Sequence, residues 1–320
     1  MKRNLLEKLT RFRAYQLGNP GSSFSYFDGT RFTLLEARLT DLSRPRIDKE
    51  LEICGASRVD CLHITSWDTD HCAVSDLEDI LERYFPHKIE CPGYPPETET
   101  AEECFLLIRG YKARMAAAGV ATSVQLIDPG YVNSLHPAET LAYRNIIYHP
   151  KYLSKKSNDN STVKLFRSGS FNVASLGDVE DNMVSARLSN CSVFTSEVDA
   201  MILAHHGADN GFTTNRFMRA VRPTLAICSS DYDNRYDHPR EKIRDLLDKY
   251  DIPLFTTKTG DVALQSLAPH THVYRLINLK ADSTERSSER EFNSKKSAKL
   301  RHNLDTVRNR YSPARRAFPR

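Results

Sequence analysis

Between residues 200 and 267 short apolar runs alternate with amphipathic ones, and this limits the fold more than any other feature. AMILA (200–204), TLAIC (224–228) and IPLFT (252–256) read as buried strands, while TTNRFMRAV (213–221) and HPREKIRDLLDKY (238–250) read as helices. Strands that return to one another through helices predict a sheet with helices packed outside it. DVALQSL and THVYRLINL read as closing strands.

The first third carries a different pattern. RFRAYQL, SSFSYF and RFTLLEARL are short β-rich runs, separated by turns at Asn19-Pro20-Gly21 and Asp28-Gly29. IDKELEICGA has helical spacing, VDCLHIT reads as a buried strand, and SDLEDILERYF reads as a helix with Ser75 as its cap. CPGYPPETET is a Pro-rich connection, and AEECFLLIRGYKARMAAAG is a helix ended by Gly119. TSVQLID and RNIIYH read as strands. The loop LSKKSNDN then feeds a hairpin in which RSGS joins TVKLF to FNVASL.

Chemistry-bearing residues collect just after these strands. Ser66-Trp67-Asp68-Thr69-Asp70-His71 follows VDCLHIT and offers two carboxylates and an imidazole that can converge on a cation. Read alone, it is equally a solvated acidic loop. Gly177-Asp178 follows FNVASL, where a glycine permits a sharp turn before a carboxylate. His205-His206-Gly207 follows AMILA. Asn234 to Pro239 follows TLAIC, with Pro239 placed to open the next helix. Loops that follow strands of one sheet share one of its faces, so these four pieces are expected to form one site. Carboxylates with imidazoles suit zinc or manganese.

In this order the motifs resemble the metallo-β-lactamase superfamily, and within it the soluble metallohydrolase domain of ComEC-type competence proteins. The family's T-H-x-D-x-D-H corresponds to Thr65 through His71, and its N-D-N-S to Asn158-Asp159-Asn160-Ser161 ahead of a strand pair and Gly177-Asp178. Its H-H-G-S corresponds to His205-His206-Gly207-Ala208, its N-x-Y-x-H-P to Asn234 through Pro239, and its T-x-x-x-G-D-V to Thr256 through Val262. The resemblance covers residues 11 to 268. It implies an α/β fold, a four-layer αββα sandwich with two mixed β-sheets, occupying residues 1–278. It also implies metal ligands at Asp68, Asp70, His71, Asp178 and one of His205 and His206. Asp70 would orient or deprotonate the nucleophile, and His238 would assist the leaving oxygen. The activity implied is phosphodiester hydrolysis by a metal-dependent nuclease acting on DNA.

The chain departs from the family at Ser66, which stands where a first histidine is normal. A hydroxyl is a much weaker zinc ligand than imidazole, so one firm cation site is expected, with a second weak or absent. His63 lies at odd strand spacing from Ser66 and should face the other way. Ser66 also leaves open a catalytically impaired binding protein on the same fold. A small-molecule phosphoesterase or lactonase is a further alternative.

Charge and cysteine content complete the expectations. The net charge is +4, but from Leu279 onward twelve Lys or Arg face five Asp or Glu, so the body carries about −3. Residues 279–320 read as a basic flexible tail that fits a nucleic-acid partner. The seven cysteines are odd in number and form no C-x-x-C pair, which argues for reduced core thiols. No apolar stretch approaches a membrane span, and the N-terminus lacks a signal-peptide core, so a soluble cytoplasmic protein without a membrane partner is expected.

Overall fold

The computed structural model describes residues 9–135, 145–268 and 272–295. The N-terminal half contributes β1 (Arg11–Ala14), β2 (Phe24–Phe27), β3 (Phe32–Leu35), α1 (Arg44–Cys54), β4 (Cys61–His63) and α2 (Val74–Tyr84). β5 (Lys88–Pro92), α3 (Glu99–Ala117), β6 (Ser123–Ile127) and the short α4 (Pro129–Ser134) follow. The second half contributes β7 (Ile146–Tyr148), β8 (Val163–Phe166), β9 (Val173–Ser175), α5 (Asn182–Ser189), α6 (Ser192–Glu197), β10 (Ala200–Ile202) and α7 (Asn215–Val221). It continues with β11 (Leu225–Cys228), α8 (Glu241–Lys249), β12 (Leu254–Thr256), β13 (Val262–Ser266), β14 (Val273–Leu279) and β15 (Arg286–Asn293).

These strands form two sheets, one in the order β15-β14-β13-β1-β2-β3-β4-β5-β6 and the other β12-β11-β10-β9-β8-β7. Both are mixed. β3 through β6 run parallel, and so do β9 through β12, while the remaining neighbours are antiparallel. The parallel stretches are the ones connected through helices, as a crossover demands.

Side-chain alternation along the strands builds four layers. Phe32 and Leu34 of β3 face outward onto Ile47, Leu51, Leu77, Ile80, Leu81, Cys104 and Ile108 of α1, α2 and α3. Leu35 faces inward. Met201, Ala226 and Cys228 pack outward against Val184, Phe217, Met218, Ile243 and Leu247 of α5, α7 and α8. Ala200, Ile202, Leu225 and Ile227 meet Phe12, Phe24, Leu35 and Leu264 between the sheets. Each large apolar side chain so buried contributes ~1.5–3 kcal/mol relative to exposure. The αββα order of layers expected from the sequence is the one observed.

One polar cluster interrupts the layer between the sheets. His63 of β4 and Glu90 of β5 face inward, and Lys164 of β8 reaches Glu90 from the opposite sheet. Glu90 also binds Lys88 at 2.6 Å and His63 Nδ1 at 2.9 Å. Burial opposes its ionisation, but Lys164, His63 and Lys88 hold its carboxyl well below the usual range. This clamp ties the two sheets together.

Several local expectations are corrected. Residues 286–293 of the expected flexible tail form β15, because a turn over Lys280–Glu285 returns the chain alongside β14. The Lys295 N–H then donates to Asp199 Oδ1 at 2.6 Å. Residues 296–320 lie outside the described residues. Ser75 does not cap α2, which starts earlier; Ala73 holds the cap position and Ser75 bonds Asp76. Pro239 precedes α8 rather than opening it, since Arg240 occupies the cap. Among the described residues no helix is long and apolar enough to cross a membrane.

Candidate metal centre

The loop between β4 and α2 closes on itself through His71 N and Cys72 N, which both donate to Asp68 O at 2.8 Å. This turn sends Asp70 and His71 toward the other sheet. There the loop after β9 turns at Gly177, whose φ is +53°. A Cβ at Gly177 would lie 2.9 Å from Thr65 Oγ1, so only glycine lets the two loops approach. The loop after β10 is strained as well. His205 and His206 both adopt left-handed backbone, with φ of 46° and 53°, a conformation costly for side-chain-bearing residues and concentrated at functional sites.

The ligand atoms of Asp70, His71, Asp178 and His206 lie within 4.8 Å of one another. His71 Nε2 is 2.8 Å from Asp178 Oδ1, yet it is buried and lacks a hydrogen bond of acceptable alignment. His206 Nε2 is 3.2 Å from Asp70 Oδ2 and 3.9 Å from Asp178 Oδ1. Each imidazole is held from behind. His206 Nδ1 donates to Ser229 O at 2.7 Å, and His71 Nδ1 lies 3.3 Å from both Glu36 Oε1 and Thr65 Oγ1. Anchoring Nδ1 leaves Nε2 as the atom offered to the centre, the arrangement typical of histidine ligands. Two carboxylates, two imidazoles and an orphaned Nε2 fit a divalent cation.

Without a cation, the group balances its charge with protons. Burial opposes protonation of His71, but Asp178, Glu36 and Asp70 outweigh it and raise its pKa well above the ordinary value. His206 is also raised, with burial overcome by Asp178 and Asp70. Burial would raise Asp178 and Asp70, yet the imidazoles pull both below the usual carboxylate range.

The other sequence candidates stand around this group. Asp68 lies outside the four, accepting from Ser66 Oγ at 2.9 Å, and burial raises its pKa. Ser66 is fully buried and also bonds Tyr94 Oη at 3.2 Å. His205 lies outside the four; its Nδ1 is 2.8 Å from Glu180 Oε1, and its Nε2 is 3.8 Å from Asp178 Oδ2. His238 lies over the pair, with ring centroids 6.0 Å from His205 and 6.2 Å from His206. Burial, with the nearby His206 and His205, lowers its pKa to about 4. His63 faces Glu90, as its spacing predicts.

Three residues of this surround escaped sequence reasoning. Glu36 departs from β3 with φ 65° and anchors Thr65 N at 3.0 Å as well as Thr65 Oγ1 at 2.7 Å. Its one signal is a lone carboxylate inside the apolar run TLLEARL. Glu180 and Tyr94 carry no such signal. Glu36→Gln is expected to weaken cation affinity about 10- to 100-fold, the usual effect of losing a carboxylate behind a ligand histidine. Competition against a metal-chelating dye reads this, and unchanged affinity would remove Glu36 from the positioning role. Ser66→His should not create a second cation site, because Tyr94 fills the space it would need. Overpacking there is expected to cost ~1–3 kcal/mol, read as a lower urea midpoint, and a stable variant binding an extra cation would refute this.

No family model matches the chain. It is similar to ComE operon protein 3 of Bacillus subtilis (strain 168), with 24% identity over 209 residues. The match covers 63% of this chain and 24% of that protein, so the chain spans about a quarter of its curated relative. Among solved structures, a metallohydrolase from Ignicoccus hospitalis is similar at 11% identity and a TM-score of 0.41, covering 79% of this chain and 98% of that one. A metal-dependent hydrolase of the β-lactamase superfamily has 9% identity and a TM-score of 0.43, covering 79% and 98%. A diphosphatase of the PhnP family has 11% identity and a TM-score of 0.38, covering 81% and 99%. The two-sheet fold stands on the chain's own topology.

Proposed function

We propose that Asp70, His71, Asp178 and His206 hold one divalent cation, zinc or manganese, and that the protein is a metal-dependent phosphodiesterase, most specifically a nuclease acting on DNA. The observation that carries this reading is the convergence of four ligand atoms from three loops, with Nδ1 of each imidazole anchored behind it. A bound cation supplies Lewis-acid polarisation of a phosphoryl oxygen and activation of water. Asp70 is the most accessible of the four and is placed to orient the attacking water or accept its proton. His238 sits above the group, and its imidazole, kept neutral by burial and the neighbouring His206 and His205, is suited to bind the phosphate or accept a proton beside it. Asp68 and His205 act beside the cation rather than on it. The Ser66–Asp68–Tyr94 contacts favour one cation over two.

The choice of phosphodiesters and DNA follows from the ComEC-type motifs and from the basic character of residues 279–320. The seven cysteines are all free thiols, which fits a reducing compartment such as the cytoplasm. The test combines elemental analysis of purified protein with cleavage assays on plasmid and single-stranded DNA across zinc and manganese. One cation per chain and cleavage abolished by Asp70→Ala are expected. Stoichiometric metal without cleavage of either DNA would reject the nuclease. Absence of stoichiometric metal would reject the centre itself and favour a binding protein.

A further inference from the structure

Four planar groups form a ladder that leads out of the metal centre. The His206 ring stacks on His238 with centroids 6.2 Å apart and planes 16° from parallel. His238 stacks on Tyr236 at 5.6 Å and 23°, and the Arg235 guanidinium lies over the Tyr236 ring at 4.7 Å. Tyr236 is half exposed, at 52%, although a large aromatic ring with so many partners could have been buried. The loop is stiffened to present it. Asn234 Oδ1 accepts from His238 N at 2.6 Å, while Asn234 Nδ2 donates to Asp231 O at 3.0 Å and to His238 O at 3.2 Å. Arg235 has no carboxylate partner among the described residues; its guanidinium donates to the Tyr236 hydroxyl.

From this we propose that Tyr236 is a stacking platform for an unpaired nucleobase of the substrate, with Arg235 turning from the ring to the adjoining phosphate. This rests on the phosphodiesterase reading and narrows it to nucleotide chains with an accessible base. The chemistry follows from the geometry. A base is a flat π-system that gains by lying on an aromatic face, and stacking of this kind does not depend on base identity. The guanidinium lies near that ring at its hydroxyl, without a carboxylate partner among the described residues. Once displaced, it supplies a charge and a planar donor fork for a phosphate. The ladder sets the stacked base at its outer end and the phosphate chain toward His206. A base held within duplex pairs keeps both faces stacked and cannot enter, so duplex ends and unpaired segments are the forms accepted.

Binding without catalysis tests this. A short fluorescein-labelled oligothymidylate and an abasic strand of equal length are titrated in EDTA and followed by anisotropy. The wild type should bind the base-bearing strand about tenfold more tightly, in line with the usual contribution of one base–aromatic stack. Tyr236→Ala should remove that preference and Tyr236→Trp should keep it. Arg235→Ala should weaken both strands and reduce the salt slope by about one. Equal wild-type affinity for the two strands, or a preference that survives Tyr236→Ala, would overturn the platform. Manganese-dependent hydrolysis of methyl p-nitrophenyl phosphate, which has no base, reads the underlying activity separately. If that hydrolysis persists without base preference, only the platform fails; if it is absent while base preference holds, the platform stands and the phosphodiesterase reading fails.

Discussion

Asp178→Asn is expected to leave the purified protein without stoichiometric zinc or manganese and to lower hydrolysis by about 10³-fold or more, the scale set by several kcal/mol of transition-state stabilisation. Asp178 is central to the proposed ligand set. One of its oxygens lies 2.8 Å from His71 Nε2 and 3.9 Å from His206 Nε2, and the other is 3.8 Å from His205 Nε2. Asparagine keeps the shape and removes the charge. The cation-free protein should feel the same loss with a defined pH dependence. His71 and His206 have raised folded pKa values, so their stabilisation is fully present below 6.5 and is lost as pH rises through those raised values. Asp178 is depressed, so its share is present above 3.8 and is lost as pH falls through its lowered value. Wild type should therefore exceed Asp178→Asn in stability at neutral pH, with the gap closing at alkaline pH. Added manganese should raise the melting temperature of wild type alone. A variant that retains one cation per chain would sink the assignment.

The second large effect lies in the clamp between the sheets. Glu90→Leu strands the buried Lys164 ammonium, and removing one partner of such a pair is expected to cost about 3–5 kcal/mol. The double variant Glu90→Leu/Lys164→Met should recover most of that loss, since an apolar pair of similar volume replaces the ions. Urea unfolding of the two single variants and the double variant reads the cycle. A single variant as stable as wild type would show that the clamp does not hold the sheets. The wild type should also lose stability in acid. Burial, with Lys164, lowers His63, which therefore stays neutral while the unfolded chain takes up a proton below 6.5. Glu90 adds to this loss below 4.5.

The alternation of strands and helices was legible because each strand carries its own inward and outward side chains. The parallel run β10-β11-β12 with α7 and α8 needed no partner to be read. β15 was not legible. RSSEREFN has Phe292 as its one buried residue, and only its pairing with β14 makes it a strand. Likewise, α5 and α6 lie in a polar stretch after Asp178. Asp181 caps α5 through Met183 N and Val184 N, and contact with the neighbouring helix layer completes the segment.

The candidate site divides in the same way. From sequence alone came the residue types, their order, and their positions at strand ends, because those are properties of short segments. The serine at position 66, where the resembled family has a histidine, was readable for the same reason. Which side chains meet was decided by tertiary structure. The left-handed backbone of the histidine pair sends His206 into the group and His205 toward Glu180, and no local pattern distinguishes two adjacent histidines. Asp68, expected among the ligands, accepts from Ser66 and is not among the four clustered residues. Glu36 entered the surround from a strand more than thirty residues before His71. Convergence of that kind depends on how two sheets pack, which is a property of the assembled layers and not of any segment within them.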